Sequence, residues 1–260
     1  MAGCKEAKDV RLPTPNSRLA VRGSFLMHRS GTEELLDRVG HDPAELAANL
    51  QDIRTVNRLA GGVATVLRHL PGLLGHVPRD HPVEILDLAT GCGDIPLSLV
   101  AWADRQSRPL HLTVTDRSPE ILGEARRTLA GVPGVTFTVC DARAVPFPDD
   151  SFDVVLCSLS LHHFAPGEAM QVLREMDRLS RTGFILNDIR RCIAGFVAAW
   201  AASRVATRNR LTRHDMPLSV LRAYTPDELQ ALLRQAGIQD ASVTTHPLFR
   251  MAAVHRQTGA

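Results

Sequence analysis

Short apolar runs alternate with amphipathic stretches through the middle of this chain, and the alternation predicts its architecture. The runs Glu84–Ala89, Leu110–Thr115, Val135–Cys140, Phe152–Cys157 and Gly183–Asp188 read as buried strands. Between them, Pro96–Ala103, Pro119–Ala130 and Glu168–Leu179 carry helical spacing, and Ser118 stands where a helix cap belongs. Strand and helix in regular alternation predict an α/β, Rossmann-like, mostly parallel sheet with helices on both faces. Two later runs, Ala241–Thr245 and Leu248–His255, flank His246-Pro247 and read as a closing pair of strands.

The flanks are helical. Residues 30–78 form a cap of two or three helices. One lies around Glu33, Leu35, Leu36 and Val39; another starts at Pro43 after Asp42; the helical pattern resumes at Val63 beyond Gly61-Gly62. Residues 1–29 have little apolar periodicity and read as a flexible lead-in. Residues 79–260 make the core, with an insertion at about 189–225 that reads as a lid. Its apolar stripe, Ile193, Phe196, Val197 and Trp200, is expected to be lid core. Thr225 to Glu228 form a capping sequence for one more helix, ending at Gly237.

Composition narrows the function classes. A chain of 260 residues fits one domain, or one core with an appendage. The net charge of +2 and the scarcity of aromatic residues argue against nucleic-acid binding. The five cysteines are scattered without metal-ligand spacing, so reduced thiols in a cytoplasmic protein and no metal site are expected. No apolar run reaches the length of a membrane span. A monomer or homodimer acting on a small-molecule acceptor is the expected form.

Chemistry concentrates at VEILDLATGCGDI, Val83 to Ile95. A strand runs into a glycine turn, where Gly91 and Gly93 admit tight curvature and close approach of a nucleotide-like cofactor. A dinucleotide fingerprint needs Gly or Ala three residues after Gly93, and Pro96 stands there instead. Asp87, just before the turn, can accept a hydrogen bond from a cationic amino group. Asp116, at the end of the second strand, can accept from a ribose diol. Asp141 closes the third strand, and PFPDDSFDVV leads into the fourth, with Asp153 at its start.

This ordered set resembles the class I S-adenosylmethionine (SAM)-dependent methyltransferases. DLATGCGD is especially similar to the ubiquinone/menaquinone-biosynthesis C-methyltransferase branch, where Ala89 replaces the first glycine. The resemblance implies a seven-stranded sheet with an antiparallel C-terminal hairpin, and SAM as cofactor with S-adenosylhomocysteine as product. It places the cofactor on Asp87, Ala89, Thr90, Gly91 and Gly93, with Asp116 and Arg117 at the ribose. Asp141 reaches the adenine amino group and the backbone of Ala142 the ring, with Ser158 beyond the fourth strand. From the helical cap, Arg58 is expected to meet the cofactor's carboxylate.

The segment SLSLHHF, Ser158 to Phe164, follows the fourth strand at the expected active-site rim. His162 or His163 is a candidate base for an acceptor hydroxyl, because imidazole titrates near neutral pH. His214 in the insertion is a further candidate. Asp188, Arg190 and Arg213 are candidates for acceptor binding. The expected function is methyl transfer to a small hydroxylated aromatic, quinone-like or polyketide metabolite, with a phenolic oxygen as acceptor atom. Methylation of an activated ring carbon is the alternative. From other classes, a nicotinamide oxidoreductase and a non-catalytic SAM-fold partner protein remain.

Overall fold

The structure is a computed structural model that describes residues 27–257. The expectation of a flexible segment over 1–29 therefore falls mostly outside the described residues. Its last three are held in place: the Arg29 guanidinium donates to the carbonyls of His162 and Phe164 at 2.9 and 2.8 Å.

Seven strands form one sheet: β1 (Val83–Leu88), β2 (Leu110–Asp116), β3 (Val135–Val139), β4 (Phe152–Ser158), β5 (Ser180–Ile189), β6 (Ser242–His246) and β7 (Arg250–Arg256). Their order is β3-β2-β1-β4-β5-β7-β6. The first five are parallel, and β7 runs antiparallel to both β5 and β6. The expected mostly parallel sheet with a closing hairpin is therefore present. β4 is buried along almost its whole length, which explains its unbroken apolar run.

Helices cover both faces. α1 (Pro43–Leu59) and α2 (Gly62–Leu73) precede the sheet, while α3 (Asp94–Arg105), α4 (Pro119–Thr128) and α5 (Pro166–Leu179) connect its strands. After β5 come α6 (Ile193–Val205), α7 (Arg210–Arg222) and α8 (Pro226–Ala236). Alternate strand residues feed two cores. Leu86, Val155 and Phe184 pack with Leu173 of α5 and Leu233 of α8. Ile85, Val154 and Ile185 pack with Val66 of α2 and Leu99 of α3. Strand order reverses between β1 and β4, so their following loops part and leave a crevice at the carboxyl edge.

Two expectations need correction. The helix sought around Glu33–Val39 is only a single 3-10 turn, Leu35–Asp37; the rest of residues 27–41 is irregular backbone. This strap is fixed by polar contacts rather than by a buried apolar face. The Asp215 carboxylate of α7 accepts the N–H groups of Leu35 and Leu36, and Ser30 N–H donates to the Leu221 carbonyl. The apolar stripe of α6 is not lid core either. Ile193, Val197 and Trp200 are 48, 55 and 50% exposed. The helix buries its small residues Gly195 and Ser203 instead; Phe196 is half-buried and the other three stripe residues face outward.

The sheet also explains Asp153, part of the distinctive PFPDDSFDVV segment. Its carboxylate accepts the Glu84 N–H at 2.9 Å and the Arg181 Nε–H at 3.0 Å, tying the starts of β1, β4 and β5 together. In β5, Gly183 has φ +138°, and a Cβ built there would lie 2.0 Å from the His255 carbonyl oxygen. Gly183→Ala should lower unfolding stability by at least about 3 kcal/mol. Gly167→Ala, with open space around it, should stay within about 0.5 kcal/mol. Denaturant titration of both variants checks the contrast.

Candidate active site

β1 delivers Asp87 to the carboxyl edge, where the chain turns through positive φ at Ala89 (52°), Gly91 (57°) and Gly93 (76°). The Thr90 N–H donates to the Thr115 carbonyl, and the Thr90 hydroxyl donates to Asp87 Oδ2 at 2.7 Å. Gly93 then begins α3, and its close approach to Ala125 of α4 leaves a Cβ only 3.3 Å from that residue's Cα. Asp87 is 1% exposed, and its second oxygen, Oδ1, has no protein partner. Burial pushes its carboxyl up to about 7; nearby Asp94 and Asp116 add to the rise, against the Thr90 hydrogen bond.

Asp116 accepts the N–H groups of Gly91 at 3.2 Å and Ser118 at 3.0 Å, so one carboxylate braces both the glycine turn and the start of α4. Burial raises its carboxyl. Asp141 is engaged by Arg143, whose Nε lies 3.0 and 3.1 Å from its two oxygens and whose Nη1 binds Glu168. That pairing holds Asp141 below the usual carboxylate range. Ala142 is buried behind it. Ser158 ends β4 and meets the Asn187 amide at 3.4 Å.

Two predicted contacts are placed elsewhere. Arg117 turns away to pair with Asp37 of the strap. Arg58 lies on the exposed side of α1 and makes no hydrogen bond among the described residues. From the same helix, Arg54 and Asn57 approach the turn instead: Arg54 meets the Cys92 carbonyl and Thr128, and Asn57 stands near Asp94, opposing the rise that burial gives its carboxyl. A cleft of about 320 Å³ opens between α1 and α4, lined by Leu50, Arg54, Cys92 and Arg127. None of the predicted cofactor residues lines it, but Cys92, between Gly91 and Gly93, does, so the cleft lies on the α1/α4 side of the glycine turn.

The second half of the site is the 3-10 turn Leu161–His163 after β4. His162 is 3% exposed; its Nδ1–H donates to Asp188 at 2.8 Å and its backbone N–H to the other carboxylate oxygen at 3.0 Å. Burial alone would raise the Asp188 carboxyl. The charge and hydrogen bond of His162, with the N–H groups of Ile189 and His162, hold it below the usual range. Asp188 is thus spent on His162 and 1% exposed, which corrects its expected role as an acceptor contact.

His163 donates from Nδ1 to Asp37 at 3.0 Å. The Nε2 atoms of His162 and His163 both face Glu34, at 3.7 and 3.9 Å from its two oxygens. Burial pushes the Glu34 carboxyl up to about 7, with Asp215 adding and His163, Ser219 and Arg222 opposing. Glu34, His162 and His163 are the one group among the described residues with convergent metal-ligating atoms, all within 4.8 Å. Sequence spacing gave no sign of it, because Glu34 arrives from the strap. The Arg222 guanidinium lies 3.8 Å from Glu34 and 3.4 Å from Asp37, already supplying positive charge.

Arg222, Arg29 and Tyr224 escaped the sequence reading, yet they hold this turn. Arg222 donates to the carbonyls of His162 and His163, and the Tyr224 hydroxyl to that of Phe164. Arg29 stacks on the Tyr224 ring at 4.3 Å. His214 is set apart: its Nδ1 meets Asp215 at 2.6 Å, and among the described residues it makes no direct contact with the histidine pair. Arg190 lies over Phe249, 6.0 Å from the ring centre, and Arg213 is half-buried on α7.

A glycine turn at the sheet's switch point, acidic residues ending β1 and β2, and a polar rim beyond β4 stand together at the carboxyl edge of the sheet. Residues 85–183 match the methyltransferase domain family. In that stretch the chain is similar to the class I SAM-dependent methyltransferases. A ubiquinone/menaquinone biosynthesis C-methyltransferase from Rickettsia massiliae is 32% identical over 120 residues, 43% of this chain and 45% of the relative. The chain thus spans under half of that relative's length. Among solved structures, the CurJ carbon methyltransferase gives a TM-score of 0.60 at 14% identity, covering 83% of this chain and 61% of that one. Human N-acetylserotonin methyltransferase in complex with SAM gives 0.58 at 16%, covering 84% and 57%.

The methyltransferase core fits SAM by its own chemistry. A buried carboxylate oxygen without a partner at Asp87 suits the cofactor's ammonium, which would favour the ionised form. Because burial holds the free carboxyl up, SAM binding near neutral pH should therefore release protons from Asp87. Calorimetry in buffers of different ionisation enthalpy reads this directly. The release should vanish in Asp87→Asn; an equal release in that variant would exclude Asp87 as its source.

Proposed function

We propose that the protein transfers the methyl group of SAM to a small hydroxylated aromatic, quinone-like or polyketide acceptor, with His163 taking the acceptor's proton. The observation that carries this reading is the orientation of His163. Asp37 accepts its Nδ1–H, so the lone pair of neutral imidazole sits on Nε2. Its side chain is 21% exposed, whereas that of His162 is 4% exposed. His163 is the member of the pair that an acceptor can reach.

Methyl transfer is an in-line displacement, and SAM supplies the electrophilic methyl. The protein's task is to align the acceptor, exclude water and make the acceptor anionic. His163 Nε2 takes the hydroxyl proton. Asp37, which burial would raise but His163 and Arg222 hold low, then faces the resulting imidazolium. His162 and Asp188 act behind it as positioning residues. The strap that supplies Glu34 and Asp37 covers this end of the crevice.

A phenolate carries negative charge on oxygen and on ring carbons, so one base activates either acceptor atom; on carbon, the ring C–H proton leaves after transfer and the oxygen regains a proton as the dienone rearomatises. The C-methyltransferase names of the Rickettsia relative and the CurJ structure favour carbon over the phenolic oxygen expected from sequence. The nicotinamide alternative loses ground, because Pro96 is buried in the first turn of α3 where that fingerprint needs Gly or Ala.

Incubating phenols, quinols and polyketide enols with [methyl-13C]SAM and reading the product by NMR tests the function. A new carbon-bound methyl is expected; only methoxy products would restore oxygen as acceptor, and no transfer to any class would remove the reading. On the acceptor that responds, His163→Ala should lower kcat at least about 100-fold. SAM affinity should stay within about threefold, and His214→Ala should leave turnover unchanged. Full turnover in His163→Ala would eliminate it as the base.

A further inference from the structure

Glu34, His162 and His163 come from two elements that meet only in the folded chain. The histidines stand on the 3-10 turn after β4, and Glu34 belongs to the strap before α1. His162 Nε2 lies 3.7 Å from one Glu34 carboxylate oxygen, and His163 Nε2 lies 3.9 Å from the other. The two rings are tilted against each other with centres 4.3 Å apart. One ligand atom from each of the three residues falls within 4.8 Å of the others. Ligand atoms held about 2.0–2.1 Å from a zinc ion at tetrahedral angles stand roughly 3.3 Å apart. The gaps seen here exceed that by about half an ångström, which small side-chain rotations close.

The groups behind these residues orient them as ligands. Each histidine donates its Nδ1–H to a carboxylate, His162 to Asp188 at 2.8 Å and His163 to Asp37 at 3.0 Å. Both lone pairs are thereby fixed on Nε2, facing Glu34. A carboxylate behind the ring is what orients an imidazole ligand and raises its basicity. The Ser219 hydroxyl orients the third member by donating to Glu34 Oε1 at 2.9 Å. Neither Nε2 atom has a hydrogen-bond partner among the described residues. Glu34 and His162 are 2 and 3% exposed, so these electron-pair donors face one another out of bulk water.

Lone pairs held against a carboxylate repel unless a cation stands between them. A shared proton does not bridge them here, because 3.7 and 3.9 Å exceed hydrogen-bond reach. Arg222 does not bridge them either. Its donors go to the carbonyls of Thr32, His162 and His163, and its Nε stays 3.8 Å from Glu34. Two imidazole nitrogens and one carboxylate oxygen suit zinc and its first-row neighbours. Magnesium and calcium take oxygen ligands instead.

We propose that Glu34, His162 and His163 form a binding site for a divalent first-row transition metal of the zinc type. Bound metal ties the strap to the turn after β4. It also takes the His163 Nε2 lone pair that the acceptor's proton would use, so metal binding and proton uptake exclude each other. That consequence rests on the reading of His163 as the base; the site itself does not.

Titration of the chelator-treated protein with Zn2+ against a chromophoric chelator, with Mg2+ as the competing probe, tests the site. Zinc should bind and Mg2+ at equal concentration should not displace it. Glu34→Gln and His163→Ala should each weaken zinc at least about tenfold, through loss of one ligand. His69 and His246, whose Nε2 atoms lie 3.1 Å apart, form a second histidine pair and control for adventitious binding. His69→Ala should leave zinc affinity within about threefold. Unchanged affinity in either Glu34→Gln or His163→Ala, or its loss in His69→Ala, would overturn the proposal. If neither site variant folds, hydrogen exchange on the unaltered protein decides. Zinc should slow residues 34–38 of the strap and 161–164 of the turn, and unchanged exchange there would overturn the proposal. Saturating zinc should also lower turnover at least about tenfold, reversibly with chelator. Full turnover with zinc bound at the site would remove His163 as the base while upholding the site.

Discussion

The carboxyl group of Asp87 is carried into the protein interior with only one oxygen satisfied, and the upper edge of the sheet is organised around that fact. Leaving a buried carboxylate oxygen unpaired costs on the order of 1–3 kcal/mol. Here burial shifts the group to about 7 rather than leaving it fully charged. Asp94 and Asn187 repeat the pattern nearby, each with an unpartnered buried oxygen. A fold that concentrates unsatisfied polar atoms at one sheet edge is destabilised there until a complementary ligand arrives. The same atoms that weaken the free protein thereby select a zwitterionic, nucleoside-bearing cofactor.

A second layer sits above this edge and obeys a different logic. The histidine turn is satisfied almost entirely from a distance. Arg29 and Glu34 come from the strap, Asp188 from β5, and Arg222 and Tyr224 from the end of α7 and just beyond. Each interaction spans elements that are remote in the chain, so the rim forms only once sheet, strap and lid helices have docked.

The sequence made the sheet legible because parallel central strands are buried on both faces and read as continuous apolar runs. β1 and β4 are the clearest cases. The glycine turn was equally legible, since Gly91 and Gly93 adopt positive φ and Asp87 precedes them at fixed spacing. The strap was not. Leu35 and Leu36 mimic a helix face, but their N–H groups are taken by Asp215 across the chain, which stops a helix from forming. α6 misled for the opposite reason: its apolar residues lie all round, and packing through Gly195 and Ser203 left Trp200 outside.

The central claim is that SAM occupies the crevice at the carboxyl ends of β1, β2 and β4 rather than the cleft between α1 and α4. Amide hydrogen exchange with and without SAM tests it in one measurement. Saturating SAM should slow exchange in the turn at residues 89–91, after β2 at 116–118, and at 141–143. Slowing confined to residues 47–54 and 124–128, which line the cleft, would contradict the account.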